Sequence, residues 1–245
     1  MIADDRTQPP DSGDRGAELR DRAKVLRATA PFSVLDDAAL SDLAKKVAPA
    51  RFRKGEVIFR EGEPAGQFFV VRAGQVKLST YGPTRRHRLI GIVGPHQIFG
   101  EPGIIDHGPR AMDADAMEDS TLLGVGSQVF WETVETSPAF ARKVIELIGQ
   151  RLRRADRAAQ DLVFFDASTR LARKLVDLAE DYGEQTDRGI LIRARMTQGD
   201  LAQMTGMARP NVNRLLAAFT SRGWIDWNDG RPILLRPDLL IEQGR

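Results

Sequence analysis

Thr197-Gln198-Gly199-Asp200-Leu201-Ala202-Gln203-Met204-Thr205-Gly206-Met207-Ala208-Arg209-Pro210-Asn211-Val212-Asn213-Arg214-Leu215-Leu216 is the stretch on which the reading of this chain turns. It opens with a hydroxyl residue followed three positions later by an acid. That is a capping box, in which the threonine oxygen and the carboxylate each satisfy a backbone N–H at the helix start. Leu201, Ala202 and Met204 give the first helix an apolar side, and Gly206 permits a tight turn. A second helix is predicted over 209–221. At about 100° per residue it gathers Val212, Leu215, Leu216 and Phe219 on one face. Pro210, Asn213, Arg214 and Ala217 fall on the opposite face, with Arg209 at the exposed start.

A helix pair alone is weak evidence. Here Gly223-Trp224-Ile225-Asp226-Trp227 and Arg231-Pro232-Ile233-Leu234-Leu235 flank the turn Asn228-Asp229-Gly230, so a β-hairpin follows. Capping box, turn glycine, amphipathic helix and hairpin in this order predict a winged helix-turn-helix, and double-stranded DNA as its partner. Arg209 and Arg214 are the candidate base readers, because a guanidinium pairs bidentately with guanine O6 and N7; phosphate contact is the alternative for each. Asn213 is a candidate adenine reader, and Pro210 shares its outward face. Thr197 is either a phosphate ligand or a cap only.

Towards the N-terminus, Asp166 can cap a helix over 167–182 that Gly183 closes. Before it, Ala141, Ile145, Ile148, Leu152, Ala155, Ala159 and Leu162 recur at alternating spacings of four and three. Charges surround this two-position seam: Arg142, Lys143, Glu146, Arg151, Arg153, Arg154, Asp156, Arg157 and Asp161. Starting at Ser137-Pro138, the helix has about 26 residues and spans roughly 39 Å. Such a seam predicts a homodimer through a coiled coil; a helix lying along its own barrel is the alternative.

Further out, β-rich runs at 56–60, 67–72, 75–80, 88–93, 111–117 and 121–125 are punctuated by glycine and proline turns. They predict an antiparallel barrel or jelly roll. Two helices precede it, one from Ala17 and one over 36–47, and residues 1–16 read as a disordered tail.

Composition fits this plan. The chain has 245 residues, 42% of them hydrophobic, enough for two domains and a tail. No apolar run nears the roughly 18 residues of a membrane span, so no membrane partner is expected. The acidic start Met1-Ile2-Ala3-Asp4-Asp5 lacks the core of a secretory signal. The chain has no cysteine, which removes disulfides, thiolate zinc sites and iron–sulfur clusters and suits a cytoplasmic home. No metal site and no nucleophile–base constellation is evident, so the chain does not read as an enzyme.

From about Pro31 to Leu240 the order of parts resembles the CRP/FNR family of transcription regulators. The resemblance rests on Arg53-Lys54-Gly55-Glu56-Val57-Ile58-Phe59-Arg60-Glu61-Gly62, Phe99-Gly100-Glu101, Gly108-Pro109-Arg110 and the run from Leu201-Ala202 to Arg214. Gly108-Pro109-Arg110 and Arg222-Gly223-Trp224-Ile225 are most similar to its actinobacterial cyclic-AMP receptor branch. The resemblance implies an α+β fold: an N-terminal antiparallel β-roll (a cyclic-nucleotide-binding-like jelly roll), a long dimerisation helix and a C-terminal winged helix-turn-helix. The corresponding segments are a tail at 1–16, a sensor roll with its helices at 17–136, the dimer helix at 137–165 and the DNA-binding domain at 166–245. The partners implied are a near-palindromic operator and RNA polymerase.

The resemblance also implies a phosphate-binding cassette, with Gly100 and Glu101 beside the ribose and Arg110 and Ala111 beside the phosphate. Ala155 and Asp156 align with the polar pair that receives the adenine. A carboxylate suits a sugar hydroxyl and a guanidinium suits a phosphate; a structural Glu101–Arg110 pair is the alternative. The sequence departs from the family pattern in the hydroxyls missing at Ala111 and Ala155, in Pro102 after Glu101, and in Asp113 and Asp156 nearby. No cofactor is certain. The effector is a cyclic nucleotide, another nucleotide, or none, and the departures predict DNA binding that does not require cyclic AMP. Two further readings remain open: a regulator with a closed pocket and no effector, and a ligand-binding module attached to an enzyme. Haem would need His87, His96 or His107 as its ligand, with a lone surface histidine the alternative for each, and the arginines of the dimer helix are candidates to receive a dianionic ligand such as a cyclic dinucleotide.

Overall fold

The computed structural model describes residues 12–82, 87–228 and 230–244. By contacts it divides into two compact units, one holding residues up to 78 and 92–152, the other holding 79–91 and 153–244. The division falls inside the longest helix rather than at either of its ends.

Helix α1 (Ser12–Arg27) and α2 (Asp37–Lys46) lead into strand β1 (Ala48–Phe52). The expected tail is therefore shorter than 1–16: residues 12–16 form the first turns of α1, and 1–11 lie outside the described residues. Asp36 caps α2 by accepting from the Ala39 N–H at 2.8 Å. The roll follows as β2 (Val57–Phe59), β3 (Gln67–Ala73), β4 (Val76–Tyr81), β5 (His87–Val93) and β6 (Ile98–Phe99). Then come the short α3 (Pro102–Ile105), β7 (Asp113–Ala116), β8 (Ser120–Gly126), α4 (Ser127–Thr136) and α5 (Pro138–Phe164).

Two four-stranded sheets result, ordered β1-β8-β3-β6 and β2-β7-β4-β5. Their pairings β1/β8, β3/β8, β3/β6 and β2/β7 are antiparallel. Alternation along β3 explains the two cores. Phe69 and Val71 face the roll interior with Phe59, Val76, Phe99 and Leu122. Phe68 and Val70 point the other way, into a cluster with Leu26 of α1, Leu40 and Leu43 of α2, Phe130 of α4 and Phe140 and Val144 of α5. Burying a side chain of this size contributes about 1.5–3 kcal/mol, so the helical layer is part of the roll's stability.

Helix α5 thus has two apolar stripes. Phe140 and Val144 are buried against the roll, with Leu147 packed beside them. Ile145, Ile148, Leu152 and Leu162 of the expected seam are exposed, Ile145 at 70% and Leu152 at 61%.

The second unit contains α6 (Ala167–Tyr182), β9 (Gly183–Thr186), β10 (Gly189–Ile192), α7 (Gln198–Thr205), α8 (Arg209–Ser221), β11 (Ile225–Asn228), β12 (Arg231–Leu234) and α9 (Pro237–Gln243). Its sheet is ordered β11-β12-β10-β9, so the predicted hairpin is half of a four-stranded sheet. Position 229 of its turn lies outside the described residues. Leu171, Ala172, Leu175 and Leu178 of α6 form the buried side of this unit. No helix among the described residues is long and apolar enough to cross a membrane.

Candidate nucleic-acid interface and effector pocket

The start of α7 is a complete capping box: the Asp200 N–H donates to Thr197 Oγ1 at 3.0 Å, and the Thr197 N–H donates to Asp200 Oδ2 at 2.7 Å. The Thr197 hydroxyl lies 2.8 Å from the same carboxylate oxygen and donates to it. Its proton is therefore engaged in the cap, the second of the two roles expected of it. Gly206 closes α7 in the left-handed region at φ 67°, and the Met207 N–H returns to the Ala202 carbonyl at 2.9 Å. Only a residue tolerant of positive φ makes this turn cheaply, which is why glycine stands there.

Helix α8 starts at Arg209 without a side-chain cap and carries proline in its first turn, where no intrahelical N–H is lost. Val212, Leu216 and Phe219 are buried; Arg209, Pro210, Asn211, Asn213, Arg214 and Ala217 are exposed. Leu215, expected with the buried set, is half-exposed at its margin. The far end is fixed by Trp224, which stacks on Phe219 at 5.5 Å and lies under the Arg222 guanidinium at 5.0 Å. The Met196 N–H donates to the Gly230 carbonyl at 2.9 Å, tying the wing turn to the entrance of α7.

Nearby arginines are engaged by acids: Arg188 with Asp226 at 2.7 Å and Arg193 with Glu184 at 2.6 Å. Among the described residues no carboxylate lies within ion-pair distance of Arg209 or Arg214. Two unpaired guanidiniums and an asparagine on one outward helix face suit the acceptor-rich edge of a major groove.

In the roll, Gly100 (φ 83°), Glu101 and Arg110 come together, with Glu101 3% and Arg110 6% exposed. A Cβ at Gly100 would stand 2.8 Å from Arg110 Nη1 and 3.1 Å from the Phe59 ring, so a side chain there would displace the guanidinium. Arg110 donates from Nη1 to the Gly100 carbonyl at 3.0 Å and lies 4.0 Å over the Phe59 ring. Burial pushes its pKa below the usual guanidinium value, with Glu63 acting in the opposite sense.

The expected alternative of a Glu101–Arg110 pair is not what forms. Glu101 Oε1 is bound by Arg151 of α5, which also donates to the Ile98 carbonyl at 2.8 Å. Among the described residues, Glu101 Oε2 and Arg110 Nε are buried with no hydrogen-bond partner. Burying such groups unsatisfied costs about 1–3 kcal/mol or more, which fits a site shaped around a ligand with an anionic group and a hydroxyl.

Asp113, one of the departures from the family pattern, is held by partners within the roll. It accepts from the Glu61 N–H at 2.7 Å and from Arg60 at 3.1 Å, and Arg60 also reaches Asp115 at 2.9 Å. Ala111 is exposed, and Ala155 and Asp156 lie on an exposed stretch of α5 in the second unit. His96 is exposed, His107 stacks on Trp131 at 5.6 Å, and the side chain of His87 lies outside what is described. Sequence reasoning missed Arg151 as a pocket residue. The signal was its place on the second stripe of α5, in line with Phe140, Val144 and Leu147.

Residues 49–137 match the family "Cyclic nucleotide-binding domain", and residues 169–242 match the family "Crp-like helix-turn-helix domain". The chain is 30% identical over 212 residues to a "CRP-like cAMP-activated global transcriptional regulator" of Mycobacterium tuberculosis, covering 86% of this chain and 94% of that one. It is 28% identical over 207 residues to the "Cyclic AMP receptor protein" of Thermus thermophilus, covering 84% and 90%. The solved structure of FixK2 from Bradyrhizobium japonicum shares the fold, with a TM-score of 0.72, 20% identity and coverage of 81% and 98%.

Proposed function

The chain belongs to the CRP/FNR family of DNA-binding transcription regulators, and from that premise we propose a homodimer that binds a near-palindromic operator without requiring cyclic AMP. The observation that carries this reading is the outward face of α8, where Arg209, Asn213 and Arg214 are exposed above a buried Val212–Leu216–Phe219 anchor. In this reading Arg209 and Arg214 read guanine edges, Asn213 reads adenine and Pro210 contributes only shape. Two copies joined along the exposed Ile145–Ile148–Leu152 seam meet half-sites about 34 Å apart. RNA polymerase is the further partner, the cytoplasm the setting, and transcription control rather than catalysis the activity.

The roll retains a nucleotide site of reduced strength. Arg110 Nε and Glu101 Oε2 are the buried groups left without a partner among the described residues, and in this reading they are assigned to a phosphate and a ribose hydroxyl. Ala111 offers no hydroxyl. The missing hydrogen bond to the charged phosphate costs about 1.5–3 kcal/mol, or one to two decades of affinity. Titration calorimetry with cyclic AMP tests this half of the reading: the expected dissociation constant is weaker than micromolar, and a tighter one contradicts it. Selection of bound genomic fragments tests the other half, expecting an inverted repeat; fragments without dyad symmetry contradict it.

A further inference from the structure

We infer that an ionic ladder between the last three turns of α5 and helix α6 positions the recognition helix for two-site DNA binding. Its members are Arg154, Arg157 and Asp161 on α5 and Asp181, Asp177 and Arg173 on α6. Arg154 grips Asp181 with both terminal nitrogens, at 2.9 and 2.7 Å. At the other end Arg173 Nε stands 3.0 Å from Asp161. Between them burial raises the pKa of Asp177, an effect that Lys174 and, more weakly, Arg157 oppose.

Along α5 the charges run plus, plus, minus at spacings of three and four, which keeps them on one face. The α6 residues met in antiparallel order run minus, minus, plus. A slip of one turn in one direction would set Asp161 against Asp177. A slip in the other direction would set Arg157 against Arg173. The pattern therefore selects one register, which a uniform apolar contact would not.

Arg173 extends the ladder beyond its own pair. Its guanidinium lies 4.6 Å over the ring of Phe165, one of the two residues between the helices, and donates to the Gly244 carbonyl after α9 at 2.7 Å. Arg170 secures the same corner by donating to the Phe165 carbonyl at 2.9 Å, while Asp166 caps α6 through the Thr169 N–H at 2.8 Å. On its other side α6 buries Leu171, Leu175 and Leu178 in the winged-helix core. Whatever fixes α6 on α5 thereby fixes α8. The ladder side chains touch no base in this reading; they are positioning residues, acting through α6.

The inference rests on the proposed dimer and operator, and its test separates the two. Operator affinity of the full-length protein is measured by fluorescence anisotropy on DNA with both half-sites and on DNA with one. Arg154→Asp should weaken two-site binding about threefold to tenfold, the range of one or two surface ion pairs. One-site binding should stay unchanged, because α8 itself is intact. The exchange Arg154→Asp with Asp181→Arg should restore two-site affinity. Sedimentation and thermal melting confirm that each variant is a folded dimer, and Asp161→Asn repeats the test from the other rung if Arg154→Asp fails to fold. Unchanged two-site affinity, or an equal loss on one half-site that the charge exchange does not repair, would overturn the ladder's role. A wild-type protein without sequence-preferring binding would instead overturn the proposed function.

Discussion

Arg110 in the roll and the Arg209–Arg214 pair on α8 are the same chemistry in opposite settings. Arg110 is buried and stacked on Phe59, and among the described residues its Nε has no hydrogen-bond partner. Arg209 and Arg214 are exposed, so water solvates them until DNA arrives. A buried, incomplete site carries a standing cost that a ligand relieves; an exposed guanidinium costs nothing while it waits. In the proposed reading the recognition surface is complete in the protein by itself, whereas the roll is complete only with something bound, and DNA binding is separable from effector binding on that account.

The largest effect is expected from removing the dimer. Leu152→Asp places a charge in the exposed seam of α5; it should give a monomer in sedimentation and abolish operator binding in a gel shift. A wild type that already sediments as a monomer would remove the basis for two recognition helices.

Next in size is base readout. Arg209→Ala and Arg214→Ala should each lose about 1–3 kcal/mol of operator affinity and relax preference at one base pair, read by binding to a library of half-sites. A uniform loss across all sequences, with a shallower salt dependence, would reassign that arginine to a phosphate.

A gain is expected at Pro210. Pro210 is exposed on the outward face of α8 and offers no side-chain acceptor. Pro210→Glu adds an acceptor for cytosine N4 and should sharpen preference at one base pair by up to about tenfold, within the usual range for one direct contact. Unaltered preference in the same library would place that position away from the bases.

The smaller effect on the winged helix is Thr197→Ala. Losing the cap should cost about 1 kcal/mol of stability, seen as a lowered melting temperature. Since the threonine proton is held by Asp200, operator affinity should change less than stability. A large affinity loss without destabilisation would make Thr197 a phosphate ligand.

The sequence was most legible where a local pattern decides the structure. The capping box, Gly206, the amphipathic α8 and the limits of α6 follow from spacing and end signals within a few residues. The hairpin β9–β10 did not announce itself, because Gly183-Glu184-Gln185-Thr186 is a polar edge strand without apolar alternation. Helix α1 begins earlier than expected because its first turns carry no apolar periodicity, and α4 and α9 are short pieces at domain edges. Glu101 and Arg110 were legible only through family resemblance. The partner that Glu101 takes, Arg151, is fifty residues away and looked like one more charge beside the dimer seam.

The most direct test of the account is the affinity of the purified protein for its selected operator, titrated with and without saturating cyclic AMP at fixed salt. The account predicts tight, sequence-preferring binding in both conditions, with midpoints agreeing within about twofold, and the same result for Arg110→Ala. Specific affinities of roughly 10⁻⁸ M or tighter are usual for such interfaces. Binding that appears only with cyclic AMP, or that tightens tenfold or more on adding it and loses that response in Arg110→Ala, would contradict the separation of the two sites.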